Sequence, residues 1–125
     1  MPFKSRKTAL VAAVGFFLLM IGIGSIPNEA NQLSAIVPDK VLHALAYGSL
    51  AALIYVGQPA KKPYRGLVVL LAIAVMGGLD EAIQSLFTYR TSSLADWMCD
   101  MLSALVVVAA LSRIKAKRVY VPRQF

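Results

Sequence analysis

The amino-acid sequence predicts an all-α fold, a four-transmembrane-helix bundle with both termini in the cytoplasm. Three observations predict it: 58% of the 125 residues are hydrophobic, the apolar residues fall in four long runs, and the positive charges gather beside the ends of those runs. A bilayer core about 30 Å thick needs roughly 20 apolar residues per helix. This composition is typical of integral membrane proteins rather than of soluble domains.

The four apolar runs cover approximately residues 8–26, 40–57, 66–87 and 95–112. They occupy most of the chain, so we expect a single membrane domain, residues 1–125. The first run follows Lys4, Arg6 and Lys7, as the core of a secretory signal would. It is longer than the roughly 7 to 15 residues of a signal core, and no convincing cleavage site follows it. We therefore interpret it as a retained span.

The positive charges predict the orientation, because Lys and Arg near short loops stay on the cytoplasmic side. Eleven of the 13 basic residues precede the first span, separate the second from the third, or follow the fourth: Lys4, Arg6, Lys7, Lys61, Lys62, Arg65, Arg113, Lys115, Lys117, Arg118 and Arg123. Lys40 and Arg90 remain for the outer side. Topology and anionic lipids explain the net charge of +7, so we expect no nucleic-acid partner.

The acidic residues all fall on the outer side: Glu29, Asp39, Asp80, Glu81, Asp96 and Asp100. Residues four apart share a helix face, so the spacing gives each of three spans a polar stripe. The stripes are Asp39, His43 and Tyr47; Asp80 and Gln84; and Asp96 and Asp100. Charges in hydrocarbon cost several kcal/mol and normally face the bundle interior, water or each other.

The run GGLDEAIQS places two adjacent carboxylates, Asp80 and Glu81, inside the third span. Neighbouring helix positions point about 100° apart, so the two can face different helices. Gly77 and Gly78, one turn below, would let another backbone approach closely. The sequence therefore predicts a polar site in the outer leaflet, with these ligand-binding residues: Asp39, Lys40, His43, Tyr47, Asp80, Glu81, Gln84, Arg90, Asp96 and Asp100.

The role of each polar residue has alternatives. His43 could donate a hydrogen bond that pins the second helix to Asp80 or Glu81, act as a general acid/base, or ligate an ion. Asp80 and Glu81 could form a structural clamp, bind a ligand, take part in catalysis, or translocate protons, although the inner halves of the spans lack further ionisable groups. The catalytic candidates are thus His43, Asp80 and Glu81. A lone histidine lacks the compact spacing of a zinc site, so we expect no metal and no cofactor.

Other residues have simpler expected roles. Arg90 could be a counter-ion to the acids or grasp a phosphate or carboxylate. Ser92 and Ser93 suit helix capping ahead of the fourth span. Cys99 is the only cysteine, so no intrachain disulfide can form, and we expect it to pack. We expect Trp97 to lie at the membrane interface.

At these positions the sequence resembles the VanZ-like family of small membrane proteins. The matching blocks are DKVLHALAYGSL from Asp39 and GGLDEAIQSLFTYRTSSLAD from Gly77, within a likeness over about residues 8–112. The resemblance implies that the family's signature positions are Asp39, Lys40, His43, Tyr47, Asp80, Glu81, Gln84, Arg90 and Asp96. Two positions depart from the family pattern. Asp100 replaces its usual Asn, and Ser103 replaces a Gly, which suggests looser packing of the fourth helix.

The family's founding member is linked to resistance to a lipoglycopeptide antibiotic. Our leading hypothesis is a bacterial inner (plasma) membrane protein with an outward-facing polar pocket set among membrane lipids. The pocket would bind a lipid-linked or lipopeptide envelope molecule, with a link to glycopeptide or lipoglycopeptide tolerance. Lys40 and Arg90 would hold its anionic groups. One alternative is a structural or accessory subunit with a membrane-protein partner. Another is a membrane-embedded acid/base hydrolase or transferase, although no nucleophile-elbow motif or phosphate-binding loop occurs.

Overall fold

A computed structural model describes residues 3–25, 39–59, 62–87 and 93–119. Within these ranges the regular structure is entirely helical: α1 (Phe3–Ser25), α2 (Asp39–Gly57), α3 (Arg65–Gln84) and α4 (Leu94–Val119). Each of the four is long and apolar enough to cross a membrane. The predicted all-α class with four membrane-length helices is confirmed, and these helices suit a multi-pass membrane protein.

The helices differ from the predicted spans mainly at three ends. α1 begins at Phe3 rather than residue 8, and α4 continues to Val119 rather than 112. Hydropathy marks only the apolar part of a helix, whereas Lys and Arg are good helix formers and prolong it. α3 ends at Gln84 rather than 87, because the chain tightens there: the amide of Phe87 bonds to the carbonyl of Gln84, and the Ser85 hydroxyl donates to the carbonyl of Ala82.

α2 is the central helix of the bundle. It contacts α1, α3 and α4, and its most extensive interface is with α4. The buried apolar core draws on all four helices, with most of its members on α2: Ala13, Tyr47, Leu50, Ala51, Ile54, Tyr55, Val69, Ile73 and Ala104. Large apolar side chains such as Val11, Leu71 and Leu102 lie exposed on the outside. That surface is suited to lipid rather than to water.

The interface between α2 and α4 depends on small residues. A Cβ atom built at Gly48 would lie 3.0 Å from Oγ of Ser103 and 3.6 Å from Cγ2 of Val107. The Ser103 hydroxyl also donates to the carbonyl oxygen of Ala44 at 2.6 Å. Small side chains allow two membrane helices to approach this closely. The looser packing expected from Ser103 is therefore wrong, because its hydroxyl bonds the two helices directly.

Side chains stabilise the turn between the end of α2 and the start of α3. Lys40 and Gln84 lie at the other ends of these two helices. The Arg65 guanidinium lies 4.1 Å from the ring centre of Tyr55, and its Nε donates to the Tyr55 carbonyl at 2.8 Å. The Gln58 amide donates to the carbonyls of Ile54 and Arg65. These contacts satisfy backbone acceptors near the helix ends and fix how α3 leaves the turn.

Replacing Gly48 by valine is expected to reduce the free energy of unfolding by about 1–3 kcal/mol, because extra atoms would overpack the α2–α4 interface. Gly22→Val is the matched control, since a Cβ at Gly22 meets no atom within 4 Å. Denaturant unfolding of both variants in detergent micelles measures the difference. Equal losses in the two variants would contradict the close approach of α2 and α4.

Candidate functional site

The polar residues of three helices meet at one end of the bundle, where α2 and α4 begin and α3 ends. We call this group the polar cluster: Lys40, His43, Tyr47, Asp80, Glu81, Gln84, Asp96 and Asp100. Six of its members are buried, and Glu81 is half-buried. The predicted convergence of one stripe per helix is therefore found. The side chain of Asp39 and the whole of Arg90 lie outside what the structure describes, so their expected roles stay predictions.

Asp80 joins α3 to α2. The Tyr47 hydroxyl donates to Oδ2 of Asp80 at 2.8 Å, and the Gln84 amide donates to Oδ1 at 3.0 Å. Tyr47 is completely buried, and Gln84 lies one helical turn from Asp80 on the same face. Both oxygens of this carboxylate are thus bonded within the protein. The geometry favours the structural clamp among the alternatives for Asp80.

His43 joins α2 to α4. Its Nδ1 lies 2.8 Å from Oδ1 of Asp100, and the two side chains are 7% and 0% exposed. One of the sequence-based alternatives placed this bond on Asp80 or Glu81. The structure assigns it to Asp100, because α4 is the helix that packs most extensively against α2. A buried imidazole held by a carboxylate has a fixed ring orientation, which a general base also requires.

Asp80 and Glu81 point toward different neighbours, as their 100° separation predicts. Oε2 of Glu81 accepts a hydrogen bond from the backbone amide of Ser93 at 2.9 Å, just before α4. The Ser93 hydroxyl in turn accepts from the backbone amide of Asp96 at 3.1 Å, which is the expected N-cap. A carboxylate beside a helix N-terminus is also favoured by the helix dipole. Ser92 lies outside the described residues.

Lys40 pairs with Asp96 in the structure. Its Nζ lies 3.3 Å from Oδ1 of Asp96, with 64% of the lysine side chain exposed. An exposed ion pair contributes at most about 1 kcal/mol, so Lys40 can exchange this partner for another anion. The Cys99 thiol approaches the Lys40 carbonyl oxygen at 3.5 Å, which agrees with the expected packing role.

Two buried side-chain oxygens in the described part of the chain have no hydrogen-bond partner, Oε1 of Glu81 and Oδ2 of Asp100. Leaving such an atom unsatisfied costs about 1–3 kcal/mol or more, so it needs an explanation. Oδ2 of Asp100 faces α3, because a Cβ built at Gly77 would lie 3.1 Å from it. Gly77 was expected to admit another backbone. It instead admits the side chains of Asp100 and Trp97.

A recess of about 430 Å³ lies beside Glu81, between the end of α3 and the start of α4. Its lining consists of Gly78, Glu81, Ser93, Leu94 and Trp97. The Trp97 indole donates to the Ala74 carbonyl oxygen at 3.0 Å, which fixes the ring against α3. The recess therefore combines apolar walls with one carboxylate.

The sequence did not indicate Trp97 as part of the site, and we expected it only at the membrane interface. The signal that it did contain is spacing within each helix. Ser93 and Trp97 are four residues apart at the start of α4 and so share a face, and Gly77 and Glu81 have the same spacing on α3. That these two faces meet is shown only by the structure.

Tyr47→Phe is expected to reduce the free energy of unfolding by about 1–3 kcal/mol, because Oδ2 of Asp80 would lose its donor in a buried position. Tyr55→Phe is the matched control. Its hydroxyl lies 3.3 Å from Oγ of Ser112, which is exposed, so its loss should cost less than about 1 kcal/mol. Thermal unfolding in micelles compares the two. Equal midpoints for the two variants would contradict the clamp.

Comparison of the chain with known proteins finds no match among family models, curated proteins or solved structures. The resemblance to the VanZ-like family therefore stays a prediction based on the two sequence blocks around Asp39 and Gly77.

Proposed function

We propose that this chain is a multi-pass protein of the bacterial inner membrane whose polar cluster opens outward and binds a lipid-linked or lipopeptide envelope molecule. The observation that carries the proposal is the recess beside Glu81. Its walls are mostly apolar, and one lining residue is Glu81, whose Oε1 is buried without a hydrogen-bond partner. An amphiphile with an apolar chain and a hydrogen-bond donor complements both.

The charge distribution supports the outward orientation. The start of α1, the turn between α2 and α3, and the end of α4 carry Lys7, Lys62 and Arg113, and no acidic residue lies beside them in the sequence. The polar cluster lies at the other end of α2, α3 and α4. Positive residues stay on the cytoplasmic side, so both termini would be cytoplasmic and the cluster would face out.

The recess has the size and chemistry of a partial ligand site. Its volume of about 430 Å³ lies within the range of small-molecule pockets, which are mostly apolar with a few polar groups that orient the ligand. It would take a segment of an amphiphile rather than a whole one. Once the half-buried Glu81 side chain turns toward the recess, Oε1 would accept from a hydroxyl, amide or ammonium group. Lys40 could meet a phosphate or carboxylate by leaving Asp96.

The resemblance to the VanZ-like family adds the expected context, tolerance to glycopeptide or lipoglycopeptide antibiotics. An outward-facing site for a lipid-linked or lipopeptide molecule agrees with that expected context. Membrane lipids would surround the rest of the bundle.

Filling the recess is the sharpest test of this function. Gly78→Leu should abolish retention of the bound amphiphile, because a side chain at Gly78 projects toward Trp97, with a Cβ 3.9 Å from its Nε1. Gly15→Leu is the control, since a Cβ at Gly15 meets nothing within 4 Å. Native mass spectrometry of the chain released from gentle detergent identifies co-purifying lipid, and growth with a lipoglycopeptide measures tolerance. A folded Gly78→Leu variant that keeps the bound lipid and the tolerance would refute the pocket.

The orientation has its own test in a Cys99→Ala background. Leu86 lies beyond the end of α3 and is 79% exposed. Leu86→Cys should react with a membrane-impermeant maleimide in spheroplasts, in which the cytoplasmic membrane is intact. A cysteine at Lys62, exposed in the α2–α3 turn, should react only after the membrane is permeabilised. The reverse pattern would overturn the outward-facing cluster.

The His43–Asp100 pair favours one second candidate, a membrane-embedded acid/base hydrolase or transferase. A carboxylate bonded to an imidazole orients the ring and stabilises its protonated form during proton transfer. This function predicts an activity on a lipid-linked substrate that disappears in His43→Ala. The binding function predicts no turnover of that substrate by the wild-type protein.

A further inference from the structure

We infer that His43, Glu81 and Asp100 form a binding site for one divalent metal ion, with Zn²⁺ as the first choice. The inference goes beyond the proposed amphiphile site. The two share Glu81 and its Oε1, and the separate observation that carries the metal site is the convergence of His43 and Asp100 on that residue. It departs from the sequence-based expectation of no metal. That expectation considered spacing along the chain, whereas these residues come from three separate helices.

The three side chains bring ligand atoms together. One donor atom from each of His43, Glu81 and Asp100 lies within 4.8 Å of the others. Nδ1 of His43 and Oδ1 of Asp100 are already 2.8 Å apart, and a metal ion bound to both would displace the proton of this hydrogen bond to solvent. Donors about 2.1 Å from a shared metal ion lie roughly 3.0–3.4 Å from one another. A modest movement of Glu81, the half-buried member, would complete the shell.

Two carboxylate oxygens of the group are available to a cation. Asp100 is completely buried, yet its Oδ2 has no hydrogen-bond partner. Oδ2 faces Gly77 on α3, and Glu81 lies one turn further along the same face of that helix. Glu81 also has an unpartnered buried oxygen, Oε1. Two such carboxylate oxygens in one buried cluster are the donors that a bound ion requires.

Charge also favours a divalent ion. When Asp100 and the half-buried Glu81 are both ionised, an imidazolium at His43 would offset only one of the two negative charges, whereas a divalent ion would offset both. Lys40 is engaged with Asp96 and mostly exposed. Buried charges in an apolar bundle normally pair with an opposite charge or coordinate a metal ion.

The neighbouring acids Asp80 and Asp96 do not belong to the group of converging donor atoms. Asp80 also has hydrogen-bond donors on both oxygens, from Tyr47 and Gln84. Glu81 is instead held through Oε2 by the Ser93 amide, which leaves Oε1 for the ion. Hydrogen bonds of this kind to the non-coordinating atom orient metal ligands in proteins.

The donor set indicates the metal. Imidazole suits Zn²⁺ and other transition metals, and carboxylates also suit Mn²⁺, so one nitrogen and two oxygen donors favour Zn²⁺ over Mn²⁺ and exclude a soft-metal site. Three protein ligands leave a fourth position open, as in reactive zinc sites. Because Glu81 lines the recess, that position would be accessible from it to water or to a donor atom of a ligand.

The test uses the full chain in detergent micelles, treated with a chelator and then titrated with ZnCl₂ or MnCl₂ by calorimetry. We expect one ion per chain, confirmed by elemental mass spectrometry, and a higher thermal unfolding midpoint with the ion bound. Asp100→Asn and Glu81→Gln should each weaken the affinity by at least about tenfold. Asp96→Asn, which removes an acid of the same cluster, and Cys99→Ser should change it less than about threefold.

Wild-type protein that binds no more metal than an empty micelle would overturn the site, whatever the variants do. A loss in Asp96→Asn as large as that in Asp100→Asn would also overturn it, since the acids would then act non-specifically. Failure of the proposed amphiphile-binding function can be distinguished from failure of the metal site. Gly78→Leu should lose the bound amphiphile and keep Zn²⁺, whereas a chain that binds Zn²⁺ but never retains a lipid supports the metal site alone.

Discussion

The structure depends on one constraint: a polar side chain buried between apolar helices must find its partner on the same bundle, because lipid supplies none. Asp80 meets this constraint through Tyr47 and Gln84, and His43 meets it through Asp100. These bonds tie α2 to α3 and to α4 at one level. The same groups therefore hold the bundle together and bring its carboxylates into one cluster.

The bonds form only because small residues bring the helices close. Gly48 faces Ser103 on α4, and the Ser103 hydroxyl reaches the carbonyl of Ala44. Gly77 leaves room for the Asp100 carboxylate against α3. A side chain at either glycine would separate helices whose polar groups need distances near 3 Å. The packing of α4 against α2 and α3 thus decides the geometry of the polar cluster. A substitution in these interfaces would disturb both the packing and the cluster.

The sequence predicted the features that depend on local periodicity. Apolar run lengths predicted the four helices, and four-residue spacing predicted that His43 and Tyr47 share a face. It predicted the wrong partner for His43, since partner choice depends on how far each helix is rotated and which pair packs most closely. Those quantities follow from contacts such as Gly48 with Ser103, which are distant in sequence. The recess was missed for the same reason, because it exists only between α3 and α4.

Asp80 and Glu81 are adjacent in sequence, but their carboxylates differ in hydrogen bonding. This difference gives Asp80 a structural role and leaves Glu81 as the candidate binding group. Both Asp80 oxygens are bonded, so a ligand could recruit this carboxylate only by breaking bonds that hold α2 against α3. Glu81 is anchored by one oxygen at the start of α4 and keeps the other unpartnered beside a recess. It can engage a cation or a donor without loss of its anchor. A carboxylate that holds two helices together needs hydrogen bonds to both of its oxygens, whereas a carboxylate that binds a ligand needs one oxygen without a partner. Asp80 and Glu81 can differ in this way because adjacent residues on a helix face different neighbours.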